Sequence, residues 1–182
     1  MGRRRRKGQR GFTLVELMVV VAIIAILAVV GSTTLWHSLP VMRLRSASRD
    51  IYSIMMRAKA EALQRCENVT ILFTSPGNTY TMFLDNGAGG GVANDEVPDP
   101  AELVLVAATA LPDRVTFDPA VSGDGVSFAN NAMVFTPRGI PINAATGGLG
   151  MGTVGLRAVD SSGNTLRQRT IRVSVAGRVS MQ

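Results

Sequence analysis

Arg10-Gly11-Phe12-Thr13-Leu14-Val15-Glu16-Leu17, followed by a run to Val30 without one polar side chain, is the stretch of this 182-residue chain that decides its architecture. From Phe12 to Gly31 the segment is long enough, at about 30 Å as a helix, to cross the hydrocarbon core of a bilayer. Arg3, Arg4, Arg5, Arg6, Lys7 and Arg10 precede it with no acidic residue among them. A flank of that kind stays cytoplasmic, so the chain after Gly31 is expected outside the inner membrane. An ordinary secretory signal would place small residues at a cleavage site after the apolar run. Here Gly31-Ser32-Thr33-Thr34-Leu35-Trp36-His37 has no small-x-small ending, and the small residue stands before the run, at Gly11.

That leader changes the meaning of the charge. The chain has 19 Lys and Arg against 13 Asp and Glu, a net of +6. Removing the six basic residues of the first ten leaves 13 against 13, a net of zero. The excess is thus a topology signal rather than a nucleic-acid signal. What remains is an acidic middle, with eight acids between Asp85 and Asp124 against Arg114, and a basic tail, with six arginines after Val126 against Asp160. One cysteine, Cys66, excludes an internal disulfide framework, and one histidine, His37, removes most zinc and imidazole chemistry. No nucleophile, base and stabiliser come together in sequence, so no catalytic residue is expected and the chain is read as a non-enzyme.

Glu16 is the oddity of the apolar segment. A carboxylate there costs a few kcal/mol and calls for a partner. If the mature chain starts at Phe12, a free Phe12 amino group, on this chain or a neighbour, is the natural counter-charge. The octapeptide from Arg10 to Leu17 resembles the processing site of type IV pilins and type II secretion pseudopilins. The resemblance implies that a prepilin peptidase cuts between Gly11 and Phe12, that Phe12 is N-methylated, and that Glu16 neutralises the N-terminal amine of the adjacent subunit during assembly. It also implies partners: other pilins or pseudopilins packed through the N-terminal helix, and an inner-membrane assembly platform.

The helical pattern continues to Arg65, with Leu35, Leu39, Met42, Ala47, Ile51, Ile54, Ala58 and Ala62 mostly three or four residues apart. Arg43, Arg45, Arg49, Asp50 and Arg57 fall largely off that stripe, and Pro40 should bend the helix. A helix from Phe12 to Arg65 would be about 80 Å long, more than a chain this size needs, so a partner must cover part of it. Trp36 and His37 read as residues of the membrane's outer edge, and Met55 and Met56 as packing.

After Glu67 the period changes. Strands are expected over 69–74, 79–84, 103–107, 115–117, 132–135, 154–159 and 166–175, with hairpin turns at Ser75-Pro76-Gly77-Asn78 and Asp160–Asn164. Phe135-Thr136-Pro137-Arg138-Gly139 and Ile171–Val179, around Gly177-Arg178, resemble the GspH/FimT branch of minor pseudopilins. The expected fold is α+β and pilin-like. A basic leader (1–11) precedes an N-terminal helix (12–65, its transmembrane half about 12–31) and a β-rich periplasmic head (66–182). A missing cysteine pair and the lack of a proline near Thr33 set it apart from major pilins and imply a minor subunit. Pseudopilus and pilus are not separated by these features.

The glycine clusters 86–91 and 147–152 match no phosphate loop and read as flexible. Asp85, Asn94, Asp95 and Asp99 offer hard oxygens, but their spacing fits no calcium loop. They read as a solvated acidic face, with no metal and no cofactor expected. In the tail, Arg167 and Arg169 share one strand face and Arg172 takes the other. With Arg178 they form the alternative reading, a DNA-binding minor pilin of an uptake pilus. Against it, Arg178 lacks the second arginine of that branch's Gly-Arg-x-Arg, and stacking aromatics are scarce.

Overall fold

The computed structural model describes residues 12–143 and 145–182, with the side chains of 29–37 outside the described set. One helix, α1 (Leu14–Arg65), precedes nine strands: β1 (Val69–Thr74), β2 (Thr79–Leu84), β3 (Val104–Ala110), β4 (Val115–Phe117), β5 (Ala132–Phe135), β6 (Pro141–Ile142), β7 (Gly152–Val159), β8 (Thr165–Val173) and β9 (Val179–Met181). They form two antiparallel sheets, ordered β3-β2-β1-β5-β6 and β4-β7-β8-β9. This is the α+β architecture expected from the sequence. The chain divides into two compact units between Ser38 and Leu39, so the second half of α1 belongs with the strands.

In the first unit the start of α1 is capped locally. The Glu16 amide donates to Thr13 Oγ1 at 3.2 Å, and the Leu17 amide to the Thr13 carbonyl at 3.2 Å. Thr13 and Glu16 thus stand in the N-cap and third-residue positions of a capping box. Among the described residues no helix is long and apolar enough to cross a membrane. The expected span of 12–31 includes 29–31, whose side chains lie outside the described set, as do those of Leu35, Trp36 and His37.

In the second unit α1 buries Leu44, Ala47, Ile51, Met55, Ala58 and Ala62, spaced by three, four or seven, into a core shared with both sheets. The expected stripe was partly misplaced. Leu39 and Met42 are exposed, and Leu44 and Met55 take the buried positions. The second half of α1 offers two candidate stripes, and only the sheets decide which is covered. Phe73 of β1 meets Phe117 of β4 edge to face at 6.1 Å and stacks on Phe128 at 6.4 Å, joining the sheets. Each such buried ring or branched side chain contributes about 1.5–3 kcal/mol by removal from water.

The strands β6 and β9, two and three residues long, escape the sequence reading because runs this short give little alternation to read, although the equally short β4 was expected. Val175, assigned above to the last strand, lies in the turn between β8 and β9, where the Gly177 amide donates to the Ser174 carbonyl.

The acidic middle is only in part the solvated face expected from its charges: Asn94, Asp95 and Asp113 are exposed, but Asp85, Glu96, Glu102 and Asp118 are buried. Register places Thr70 opposite both Phe83 and Val134, and all three are fully buried on the face of the five-stranded sheet away from the helix. The segment between β2 and β3 folds against that face and is organised by its own carboxylates. Asp85, 1% exposed, accepts from Thr70 Oγ1 at 3.0 Å and from the Asn94 and Glu96 amides at 2.5 and 3.1 Å. Glu102 accepts from the amides of Asn86, Gly87 and Asp99, and Asp99 from that of Val92. Asn130 Nδ2 donates to Glu96 at 2.6 Å. Carboxylates are used here because a segment outside the strand ladders leaves its amides without regular carbonyl partners, and an ionised side chain accepts several of them at once.

Candidate assembly helix and basic hairpin

The residues singled out from sequence lie in three places. Phe12, Thr13 and Glu16 open α1, and Gly11 lies outside the described residues. The twelve large apolar side chains from Phe12 to Leu27 are between 47% and 79% exposed. A surface of that kind on every side of a helix is not stable in water alone and has to be covered by lipid or by other helices.

The second half of α1 carries a further stripe that sequence reading did not separate from the buried one. Leu39, Met42, Ser46, Arg49, Ser53, Met56, Ala60 and Leu63 alternate spacings of three and four, and every one is exposed. That is a seven-residue repeat of apolar and small residues with a single charge, the pattern on which a second helix packs. The signal was in the sequence. It became readable only once Leu44, Ala47, Ile51, Met55 and Ala58 were known to face the sheets.

The basic tail forms the hairpin β7–β8. Arg169 lies opposite Leu156 and Arg167 opposite Ala158, so both stand on the core side, beyond the point where the core ends. Arg172 lies opposite Thr153, on the outer side, where Arg157, opposite Gln168, joins it. The face assignment expected from alternation is what the register shows, and Arg157 is an addition. Arg157 is tied to Thr116 Oγ1 at 3.2 Å, and Arg169 Nη1 lies 3.8 Å from Met181 Sδ. The arginines are therefore divided between two faces and do not form one strip along which a phosphate backbone could run. Arg178 stands apart, in the turn that leads into β9.

Among the described residues no group of three or more His, Cys, Asp or Glu side chains is placed to hold a metal ion. Cys66, at the end of α1, is exposed and unbridged.

A prokaryotic N-terminal methylation motif matches residues 6–32, and the type II transport protein GspH family matches residues 47–177, most of the chain. The chain belongs to the GspH family. Along nearly its whole length it is 30% identical to the pilin-like protein PilA1 of Thermus thermophilus, over 177 residues that cover 96% of this chain and 99% of that one. In fold it is similar to the minor pseudopilin EpsH of the type 2 secretion system of Vibrio cholerae. That likeness has a TM-score of 0.53 at 9% identity and covers 77% of this chain and 96% of EpsH. For a GspH-family protein, the helix followed by a two-sheet head is thus the shared framework.

Proposed function

We propose that this GspH-family chain is a minor pseudopilin or pilin, a structural subunit that joins or initiates a type II secretion pseudopilus or a type IV pilus. In this reading residues 1–11 are a leader removed by a prepilin peptidase between Gly11 and Phe12, and Phe12 is then N-methylated. Residues 12–31 anchor the chain in the bacterial inner membrane, with the leader cytoplasmic and the head periplasmic. The helix then leaves the bilayer to pack among those of other subunits at the assembly platform, with Glu16 paired to a neighbour's Phe12 amine.

One observation supports this reading above the others: α1 presents uncovered apolar surface in both of its halves. Phe12 to Leu27 is exposed all round, and Leu39 to Leu63 adds an eight-residue stripe with a seven-residue repeat. A membrane anchor alone accounts for the first half, whereas lateral packing of helices accounts for both. Thr13, within the processed chain, caps the helix start, and the positive end of the helix dipole favours the Glu16 carboxylate near it.

Mass spectrometry of the N-terminus of protein taken from membranes tests the processing step. A chain beginning at methylated Phe12 is expected, and Gly11→Ala should leave the leader attached. An intact Met1 on the mature wild-type protein would remove the proposal.

A further inference from the structure

Lys7 and Lys59 are the two lysines of the chain, against seventeen arginines, and Lys59 stands where α1 meets the turns that close both sheets. Its Nζ donates to the Gly177 carbonyl at 3.0 Å. Gly177 lies in the β8–β9 turn and Gly139 in the β5–β6 turn, both with φ of +70°. The two turns are pressed together. A Cβ on Gly177 would stand 2.5 Å from the Gly139 carbonyl oxygen and 3.3 Å from Lys59 Nζ, and one on Gly139 would stand 3.0 Å from Lys59 Cε. No ion pair to Lys59 is found among the described residues.

We propose that Lys59 is a latch that ties α1 to the β5–β6 and β8–β9 turns at once, so that the helix and the outer strands β6 and β9 of the two sheets move as one body. The half-buried ammonium meets a backbone carbonyl, a dipole with no counter-charge. A compact ammonium on a thin, flexible stem sits beside the two glycines, where a planar guanidinium would need more room. This also gives a physical reason for the two tail motifs. Gly139 and Gly177 are glycines because each has a left-handed backbone and because the second touches the first. A pull along the second half of α1 would then reach both sheet edges through one side chain. The latch lies wholly within the compact unit from Leu39 onward, so it does not depend on how α1 packs in an assembly.

The test uses the full chain in detergent micelles. Acylation of the Lys59 amine by an N-hydroxysuccinimide ester is followed by peptide mass spectrometry, in native protein and in urea. Native labelling about tenfold slower or more is expected, as for a group that reacts through local opening. Labelling at the unfolded rate would overturn the latch. In Lys59→Met and Lys59→Arg, exchange of the Gly139 and Gly177 amides should rise about tenfold while the β7–β8 ladder keeps its protection. Wild-type exchange at both glycines in either variant would also overturn it. The labelling result stands even if neither variant folds.

Discussion

Thr70 on β1 and Asp85, fifteen residues on and just past the end of β2, are joined by a buried hydrogen bond of 3.0 Å from the hydroxyl to the carboxylate. The same carboxylate takes the Asn94 and Glu96 amides, so one side chain connects the five-stranded sheet to the segment that covers it. Asp85→Ala leaves these donors without their acceptor and should destabilise the protein by about 2–4 kcal/mol. Thr70→Val, which loses one bond and keeps the shape, should cost about 1 kcal/mol. Urea denaturation of both variants checks the ratio, and equal losses would show that Asp85 does not organise the loop.

The same group sets a pH dependence. Burial pushes the Asp85 carboxyl above its ordinary 3.8; the amide and hydroxyl bonds oppose this, and the charge of Glu102 adds to it. The folded chain therefore holds this proton more tightly than the unfolded chain. The resulting stability is fully present below 3.8 and is lost as pH rises through the folded value. Glu61 has the opposite sign: the hydrogen bond from Arg65 lowers it below 4.5, so its contribution is present above 4.5 and lost as pH falls through the folded value. The stability advantage of wild type over Asp85→Asn should shrink as pH climbs above 3.8. Carboxyl chemical shifts read the titration directly, and a midpoint at or below 3.8 would contradict it.

Gly125 has φ of +93°, and a Cβ there would stand 2.5 Å from Phe117 Cβ and 2.7 Å from the Asp118 nitrogen. Gly125→Ala should cost about 2–4 kcal/mol, from backbone strain and from displacing β4. Gly163 has φ of +83° with open space where its Cβ would go. Gly163→Ala should cost about 1–2 kcal/mol from the backbone alone. Thermal melts of the pair separate the two causes.

The exposed stripe on α1 separates assembly from folding. Met56 and Leu63 are 43% and 47% exposed, so Met56→Glu and Leu63→Glu should change stability by no more than about 0.5 kcal/mol each. Their incorporation into filaments should nevertheless fall, because a carboxylate in a helix–helix seam is desolvated without a partner. Comparison of melting temperature with filament content checks this, and normal incorporation of the double variant would exclude the stripe as a contact.

At the start of α1 the charge of Glu16 can be parted from its capping role. Glu16→Gln keeps a side chain suited to the capping box and removes the charge. It should be cleaved after Gly11 as in wild type and fail to enter filaments. Thr13→Ala should weaken the helix start by about 1 kcal/mol with the charge intact. Immunoblots of the processed form and of sheared filaments distinguish the two.

What sequence alone decided is local. Apolar length, the basic flank and the octapeptide around Gly11 specify the helix and the family, because they depend on neighbouring residues. The strand runs with turns such as Ser75–Asn78 and Asp160–Asn164 were legible for the same reason: an alternating pattern bounded by turn residues is a short-range signal. Tertiary structure decided what depends on residues far apart. Leu44 and Met55 rather than Leu39 and Met42 face the core because the sheets cover one of two apolar stripes. The acids of the middle are capping groups because the segment between β2 and β3 folds back on Thr70, Phe83 and Val134. Arg157 joins Arg172 on the outer face through the register of one hairpin, and Gly139 meets Gly177 because two sheet edges end under Lys59. Each of these is a contact made across the chain, and periodicity along the chain carries no information about it.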